Sequence, residues 1–451
     1  MTKPSEIANR DSDLGRSTVL YLYDGSEKIE HDQEDKKMGK TVVTGLGAIT
    51  PIGLTVEEFW RNLTAGKSGA GFISSFDTSD FPVKIACEVQ GFNAADYLDH
   101  KLVKRTVRST QFAIAASRMA LDDAGLTINS ANASEVGVVM NTGGGGFADI
   151  EDGTRTLLDK GPRGVSPLFI PSTMPNAVSC LVSMVTGAKG PVITSAAACA
   201  SGNYAFVEAH RLLLLQEATA LITGGTESGT KPLTLAALYR MGALSRRNDD
   251  PQLACRPFDR DRDGFVFGEG AVVMVVETEE HARQRGAHIY AEVAGGAITS
   301  DAYHITAPEP SGDGAARAMQ QALDRASLQP QEIDCIFAHG TSTELNDVTE
   351  TRAIKHVFGQ HAYQIPVTAT KSMLGHMLGA AGAASALAAV LSIRDGIIPP
   401  TLNLDTPDPE CDLDYVPHVA RRQQVRAAMI NGFGFGGQNA ALIIKAYQNG
   451  V

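Results

Sequence analysis

Four side chains in this chain of 451 residues have the types and settings for carbonyl chemistry: Cys199, His339, His376 and Lys371. Cys199 stands in "AAACASGNY", residues 196–204, one sulfur among small side chains. It follows the apolar run Val192-Ile193-Thr194 and precedes a long apolar stretch, so the pattern predicts a tight turn at a helix N-terminus. Free N–H groups and the helix dipole favour a thiolate at such a turn. The small neighbours Ala198, Ala200, Ser201 and Gly202 leave room for a carbonyl at the sulfur and for a backbone N–H facing the oxyanion that forms. A small buried cysteine in an Ala-rich helix fits the same letters.

The histidines shift that balance. His339 lies in "AHGTST" at a predicted strand end, and His376 lies in "KSMLGH" before the Ala-rich "MLGAAGAASALAAV". Each alone suits a structural role. With Lys371 they make a set of one thiol, two imidazoles and one ammonium. A cysteine protease also pairs Cys with His, but two imidazoles and an ammonium better suit a negative charge on a thioester enolate.

These residues need elements to hold them. "KTVVTGLGAITPIG" reads as a buried strand ending in a turn, and "VEEFWRNLTAG" as an amphipathic helix closed by Gly66. The same order recurs along the chain, as in an α/β protein. Three units of the middle have counterparts near the end, in the same order. "VGVVMNTGGGG" is echoed by "IDCIFAHGTST", "PVITSAAACASG" by "IPVTATKSMLGH", and "ATALITGGTESG" by "RAAMINGFGFGGQ". Two copies of one α/β unit, rather than a solenoid, explain this. Residues 38–287 form the half with the cysteine and 288–451 the half with the histidines, with the seam near 280–295. Packed about a pseudo-twofold axis, the halves bring Cys199, His339 and His376 to one pocket at strand ends. Residues 1–37 read as a flexible extension with one short strand in "STVLYLY", or as a segment added to the natural chain.

From Met38 onward the chain resembles the β-ketoacyl-acyl-carrier-protein synthases of the type I/II group, KAS II-like condensing enzymes of the thiolase superfamily. The resemblance rests on Cys199 after its Ala-rich turn and on "GGTESG", "SRRNDDPQLACRPFDRDRDGFVFGEGA", "SDAYHITAP", "AHGTSTELND", "KSMLGHMLGAAGA", "IPPTLNLDTPDP" and "NGFGFGGQN", all in order. It implies a five-layered α-β-α-β-α fold of two duplicated halves, usually as a homodimer. It also implies a reaction: Cys199 takes an acyl group from a carrier thioester, malonyl-carrier protein loses carbon dioxide, and the enolate attacks the acyl-enzyme. His339 and His376 would support decarboxylation, Lys371 the electrostatics, and the N–H groups of Cys199 and Phe435 the oxyanion. Thr341 and Thr343 would hold the pantetheine arm, while Phe433 and Phe435 include a gate over the acyl pocket. No cofactor or metal is implied.

Departures from the family pattern are specific. Ser385 stands where a glutamate usually approaches Lys371, which weakens the case for the cation site some relatives carry; Glu350 in "NDVTE" takes over part of the carboxylate's role. Gly144 replaces a larger residue lining the acyl tunnel, which predicts extra depth or a differently shaped cargo. Gly242 replaces an arginine that grips the carrier, leaving Lys101, Lys104 and Arg105 as the patch for an acidic carrier protein. These differences keep a second reading open, the ketosynthase of a type II polyketide or polyene pathway, in a heterodimer with a chain-length factor. A non-catalytic chain-length subunit would lack the cysteine, and a degradative thiolase would pair one histidine with a second cysteine.

Bulk properties exclude other classes. A net charge of -12 argues against a broad nucleic-acid face. Six dispersed cysteines with no CxxC fit reduced thiols in a cytoplasm rather than disulfides or zinc. No apolar run of about 20 residues predicts a membrane span. "DRDRDG" opens like a calcium loop, yet Gly270 occupies the twelfth position where a bidentate Glu is needed. There is no GxxxxGK[ST] and no GxSxG, so neither a P-loop nor a serine hydrolase elbow is present.

Overall fold

A computed structural model of the chain describes residues 39–448. The expected extension 1–37 lies outside the described residues.

Ten strands form one sheet: β1 (Thr41–Ile49), β2 (Val136–Asn141), β3 (Val192–Ile193), β4 (Ala220–Glu227), β5 (Gly270–Thr278), β6 (Ala291–Ser300), β7 (Cys335–Phe337), β8 (Val367–Thr368), β9 (Ala427–Gly434) and β10 (Gln438–Lys445). Their spatial order is β8-β7-β9-β10-β6-β1-β5-β4-β2-β3. Each consecutive set of five has the same internal order, 3-2-4-5-1. Pairing directions repeat too: β2 is parallel to β3 and β4, as β7 is to β8 and β9, and the remaining neighbours are antiparallel. Among the described residues the two sets pair only where Thr41, Val42 and Val43 face Val293, Glu292 and Ala291 across the antiparallel β1–β6 ladder. The three echoed sequence pairs are β2 with β7, β3 with β8, and β4 with β9.

Composition explains the layers. "GAVVMVVET" of β5 is a continuous apolar run because the strand is covered on both faces, and all but its last residue are buried. Helices α2 (Arg108–Ala124) and α3 (Ala177–Thr186) cover the outer face of the first set. Helix α5 (Asp313–Ala326) covers that of the second, and α6 (Glu344–Phe358) packs beside it, its Ala353, Ile354 and Phe358 sharing a buried cluster with Ile336 and Val367. Between the sets lie α4 (Ser201–Leu214) and α7 (Ala381–Asp395), which touch each other and strands of both sets. The result is five layers, α-β-α-β-α. Alanine and glycine dominate α7, and every residue from Ala381 to Ile393 is buried, since only small side chains let a helix sit this close to strands of both sets.

The helix α1 (Val56–Thr64) begins where Thr55 caps it, accepting the Glu58 N–H at 3.2 Å, and Gly66 follows its end at φ +67. The stretch Leu378–Asp395 is long and apolar enough to cross a membrane by composition alone, but 83% of it is buried inside the fold. It is the central core helix.

Candidate active site

The chain reaches Cys199 through strain. Ala198 sits at φ +46, a left-handed conformation that costs a non-glycine residue about 1 kcal/mol. Ala198–Ala200 form one 3-10 turn, and α4 begins at Ser201. The Ser201 hydroxyl accepts the Ala197 N–H at 2.8 Å and faces the carbonyls of Thr142 and Ala198, which ties the turn to the end of β2. Opposite it runs the end of β9. A Cβ on Gly434 would lie 2.5 Å from the Ala197 carbonyl, so only glycine lets the strand come this close. That approach places the Phe435 N–H at the Cys199 sulfur, where it favours the thiolate.

The histidines arrive from the second half. His339 follows β7, and His376 follows Gly375, whose φ is +65. The His376 N–H donates to the Val266 carbonyl at 2.7 Å and its own carbonyl accepts from Gly268 at 2.9 Å, which pins the backbone on both sides. Cys199 Sγ and one ring nitrogen from each histidine all lie within 4.8 Å of one another, and all three residues are buried. The rings are near-perpendicular, 84° with centroids 5.6 Å apart. His339 Nδ1 and both ring nitrogens of His376 have no hydrogen-bond partner among the described residues. Such unpartnered polar atoms are available to bond a molecule that enters the site.

Burial, then the charge of Lys371, holds both imidazoles well below their usual pKa, so they are neutral at pH 7. A neutral imidazole can donate a hydrogen bond to a developing oxyanion without first losing a proton. Burial also pushes the Cys199 thiol up to about 11, against the pull of Lys371 and of the Phe435 N–H. Three such donors also suit a soft divalent ion by type.

Lys371 is buried and does not line the cavity that opens onto Cys199. Its Nζ donates to the His339 carbonyl at 2.5 Å. Glu350, also buried, accepts the N–H groups of His339 and Gly340 at 2.8 Å each and the Asn431 amide at 3.1 Å. Ser385 does not reach Lys371; its hydroxyl lies 3.0 Å from that of Thr370. The carboxylate support of the region thus comes from Glu350 through the backbone of residue 339.

A cavity of about 350 Å³ opens onto Cys199, His339 and His376. Thr341 and Thr343 line it with hydroxyls 2.9 Å apart, and Phe433 and Phe435 flank it, the Phe433 ring 5.5 Å from that of His339. Gly242 lies at its lining with φ +76 and nothing within 4 Å of where a Cβ would stand. The Phe435 segment leans on a second loop: the Gly436 N–H donates to the Ile305 carbonyl at 2.7 Å, and the Asp301 N–H to the Gly437 carbonyl at 2.9 Å.

Other expected residues fall elsewhere. Gly144 does not line this cavity, and the extra depth expected at it is filled: a Cβ there would lie 1.9 Å from an atom of the Phe147 ring. Lys101, Lys104 and Arg105 are exposed on and just after the short helix His100–Val103, and none lines the cavity. Residues that the sequence did not single out include Asp301 and Asn439, bonded at 2.6 Å on the cavity lining, and Phe147. A Gly-rich loop three residues ahead of a phenylalanine was the one available sign of the last.

A duplicated five-layered fold with a thiol and two neutral imidazoles at the strand ends defines a thiolase-like condensing acyltransferase. The family described as "Beta-ketoacyl synthase" matches by its N-terminal domain over residues 38–282 and by its C-terminal domain over 290–405, and the chain belongs to it. It is 51% identical over 409 residues to 3-oxoacyl-[acyl-carrier-protein] synthase 2 of Synechocystis sp., covering 91% of this chain and 98% of that protein. It is 47% identical over 406 residues to the protein of the same name from Coxiella burnetii, covering 90% and 98%. Among solved structures, the ishigamide ketosynthase/chain length factor superposes with a TM-score of 0.84 at 38% identity, over 91% of this chain and all of that one. A type II polyketide ketosynthase in complex with its acyl-carrier protein gives 0.84 at 33%, with the same coverage.

Proposed function

We propose that the chain is a 3-oxoacyl-[acyl-carrier-protein] synthase that elongates acyl chains in fatty-acid synthesis. The observation that carries this is the convergence of Cys199, His339 and His376 within 4.8 Å at the base of one cavity. Cys199 attacks an acyl-carrier thioester, forming the acyl-cysteine and releasing the carrier thiol, with the oxyanion held by the N–H groups of Cys199 and Phe435. Malonyl-carrier protein then enters along Thr341 and Thr343. Its C–C bond to the carboxylate breaks, carbon dioxide leaves, and the electron pair becomes an enolate whose oxygen accepts from the two imidazoles. The enolate carbon attacks the acyl-cysteine, the C–S bond breaks, and the thiolate takes up one proton as the β-ketoacyl-carrier product forms.

The partners follow from the same reading. An acyl carrier protein delivers both substrates, and Lys101, Lys104 and Arg105 are its docking charges. The second partner is another copy of this chain. Leu158, Ile170 and Met184 are 79%, 64% and 74% exposed on neighbouring helices beside the two-residue edge strand β3, an apolar face that a homodimer would bury. Reduced, dispersed cysteines suit a cytoplasmic enzyme. The polyketide reading, which differs in cargo rather than chemistry, is favoured by the two ketosynthase neighbours and by Ser385 and Gly242, whereas the space at Gly144 that would have supported it is filled by Phe147.

The test is intact-protein mass after incubation with acyl-carrier proteins of graded chain length, then malonyl-carrier protein, for wild type and Cys199→Ala. An adduct on wild type alone, consumed by malonyl-carrier protein to give a β-ketoacyl product, is expected. Acylation of the Cys199→Ala variant would sink the assignment. Acceptance of short β-keto chains in place of saturated ones would move the enzyme to the polyketide class.

A further inference from the structure

A fold made of two copies has two nucleophile turns, and here only one carries a nucleophile. In the first half the turn Ala198–Ala200 is entered through Ala198 at φ +46 and runs directly into the central helix α4. In the second half Leu378–Ala380 form the same 3-10 turn, entered through Leu378 at φ +38, and run directly into the central helix α7. Gly379 therefore occupies the place of Cys199, and its N–H is the counterpart of the Cys199 N–H. The two turns pack together. A Cβ on Gly202 would lie 3.1 Å from the Gly379 carbonyl, and one on Gly225 would lie 2.1 Å from it.

The duplicate turn is occupied. Glu227, the last residue of β4, accepts the Gly379 N–H at 3.2 Å and the Gly143 N–H at 2.8 Å with one carboxylate oxygen, Oε2. The side chain is fully buried, and its other oxygen has no hydrogen-bond partner among the described residues. A Cβ on Gly379 would come within 2.3 Å of the Gly143 nitrogen and 2.6 Å of the Thr142 Cα, so no side chain fits there. A turn whose partner in the other half faces a transient oxyanion is filled here by a carboxyl oxygen of the chain itself.

We propose that Glu227 is a positioning residue for Cys199: its carboxylate plugs the disused duplicate of the nucleophile turn, clamps that turn to the 142–146 loop, and through its charge restrains the thiol. The clamp matters because the duplicate turn begins two residues after His376 and lies against the turn of Cys199. The charge matters because the site holds few others. Around the two turns the titratable groups are Cys199, His339, His376 and Lys371, with Glu350 behind His339 and Glu208 on the Ser195 hydroxyl; the histidines are neutral, Lys371 lowers the thiol's pKa, and Glu227 raises it. Burial lifts the Glu227 carboxyl itself to about 7, against the pull of the Gly143 and Gly379 N–H groups. Below that pH it is neutral and spares the thiol. Above it, the added negative charge holds the thiol's proton more firmly.

The proposal concerns the thiol named in the reading above, but its test needs no carrier protein. The full chain, as wild type, Glu227→Gln and Glu227→Ala, is alkylated with iodoacetamide between about pH 5.5 and pH 9, and the Cys199 peptide is followed by mass. The Glu227→Gln to wild-type rate ratio should stay near one below about pH 6 and rise to roughly threefold to tenfold above pH 8, because the amide cannot ionise. A ratio that is flat with pH in folded Glu227→Gln overturns the charge restraint. Amide hydrogen exchange of residues 142–146 and 378–381 should quicken about tenfold or more in Glu227→Ala, and by a smaller factor in Glu227→Gln, which keeps one acceptor oxygen. Unchanged exchange in both overturns the clamp. If Glu227→Ala does not fold, Glu227→Gln carries both readouts. Failure of wild type to accept any acyl carrier would sink the condensing-enzyme reading and leave these measurements intact.

Discussion

Lys371 spends its ammonium on the main-chain carbonyl of His339, 2.5 Å away, rather than on any carboxylate. The residue therefore does two things at once. It fixes where the imidazole of His339 emerges, and it supplies the positive charge that opposes burial of the Cys199 thiolate. Burial depresses its own pKa, with Glu350 the first of the groups that oppose this.

Lys371→Ala should therefore raise the Cys199 pKa further, by roughly one unit or more. The alkylation rate at pH 8 should fall about tenfold, with the pH profile displaced upward. An unshifted profile with only a lower rate would mean that Lys371 shapes the site without charging it.

His339→Ala should separate the half-reactions. In the proposed mechanism the imidazole meets the enolate oxygen and not the first acyl transfer, so decarboxylation of malonyl-carrier protein should drop by about 100-fold or more while self-acylation changes by less than about tenfold. Radiolabelled carbon dioxide release and intact mass measure the two. Equal losses would assign His339 to both steps.

The Phe147 ring stands where a side chain on Gly144 would otherwise project. If the acyl tunnel passes this loop, Phe147→Ala should open it and shift the ratio of long to short acyl chains accepted by about tenfold. Gly144→Ile must expel the ring and should alter the same profile. A profile indifferent to both variants places the acyl pocket elsewhere.

Two glycines should respond oppositely to substitution. Gly242→Arg meets open space and costs only its left-handed backbone, about 1 kcal/mol, while adding a charge at the cavity lining. The KM for acyl-carrier protein should fall, and the gain should vanish in high salt. Gly379→Ala drives its Cβ into backbone atoms at 2.3 and 2.6 Å and should destabilise the protein by ~3 kcal/mol, seen as a lower Tm.

Glu277 supplies a pH prediction away from the site. Burial opposes its charge, yet bonds from Arg285, His281 and Thr44 hold its pKa at about 2, below the ordinary 4.5. A depressed carboxylate contributes stability above the unfolded pKa and loses it as pH falls through the folded one, so this contribution, about 3 kcal/mol, should disappear between about pH 4.5 and pH 2. Glu277→Gln should lower Tm at pH 7 and converge with wild type near pH 2; parallel curves would refute the linkage.

Much of this was legible in the letters. Small residues around Cys199 and "AHG" and "KSMLGH" at strand ends marked the site, because a site must keep its own atoms out of the substrate's space. The repeated strand-turn units announced the duplication. What the repeat concealed was its offset: Cys199 follows Ile193 by six positions, whereas Gly379 follows Thr368 by eleven. The added positions hold Lys371 and His376, so aligning by strands sets Lys371 near the nucleophile's place and hides Gly379. Glu227 was equally hidden, since a buried carboxylate at a strand end looks in sequence like any surface glutamate. Phe147 needed coordinates, as nothing in "TGGGGF" says which way a ring will turn.

The narrow ladder between β1 and β6 joins the halves by three residue pairs, while α4 and α7 are each buried against strands of both. Neither half can bury its own central helix without the other, so an isolated half would leave an alanine-rich helix and a sheet face wet. The described residues should therefore unfold as one unit, seen as a single calorimetric transition, and two separate transitions would refute this. Cys199 and the imidazoles of His339 and His376, contributed by different halves, should then be lost at the same temperature.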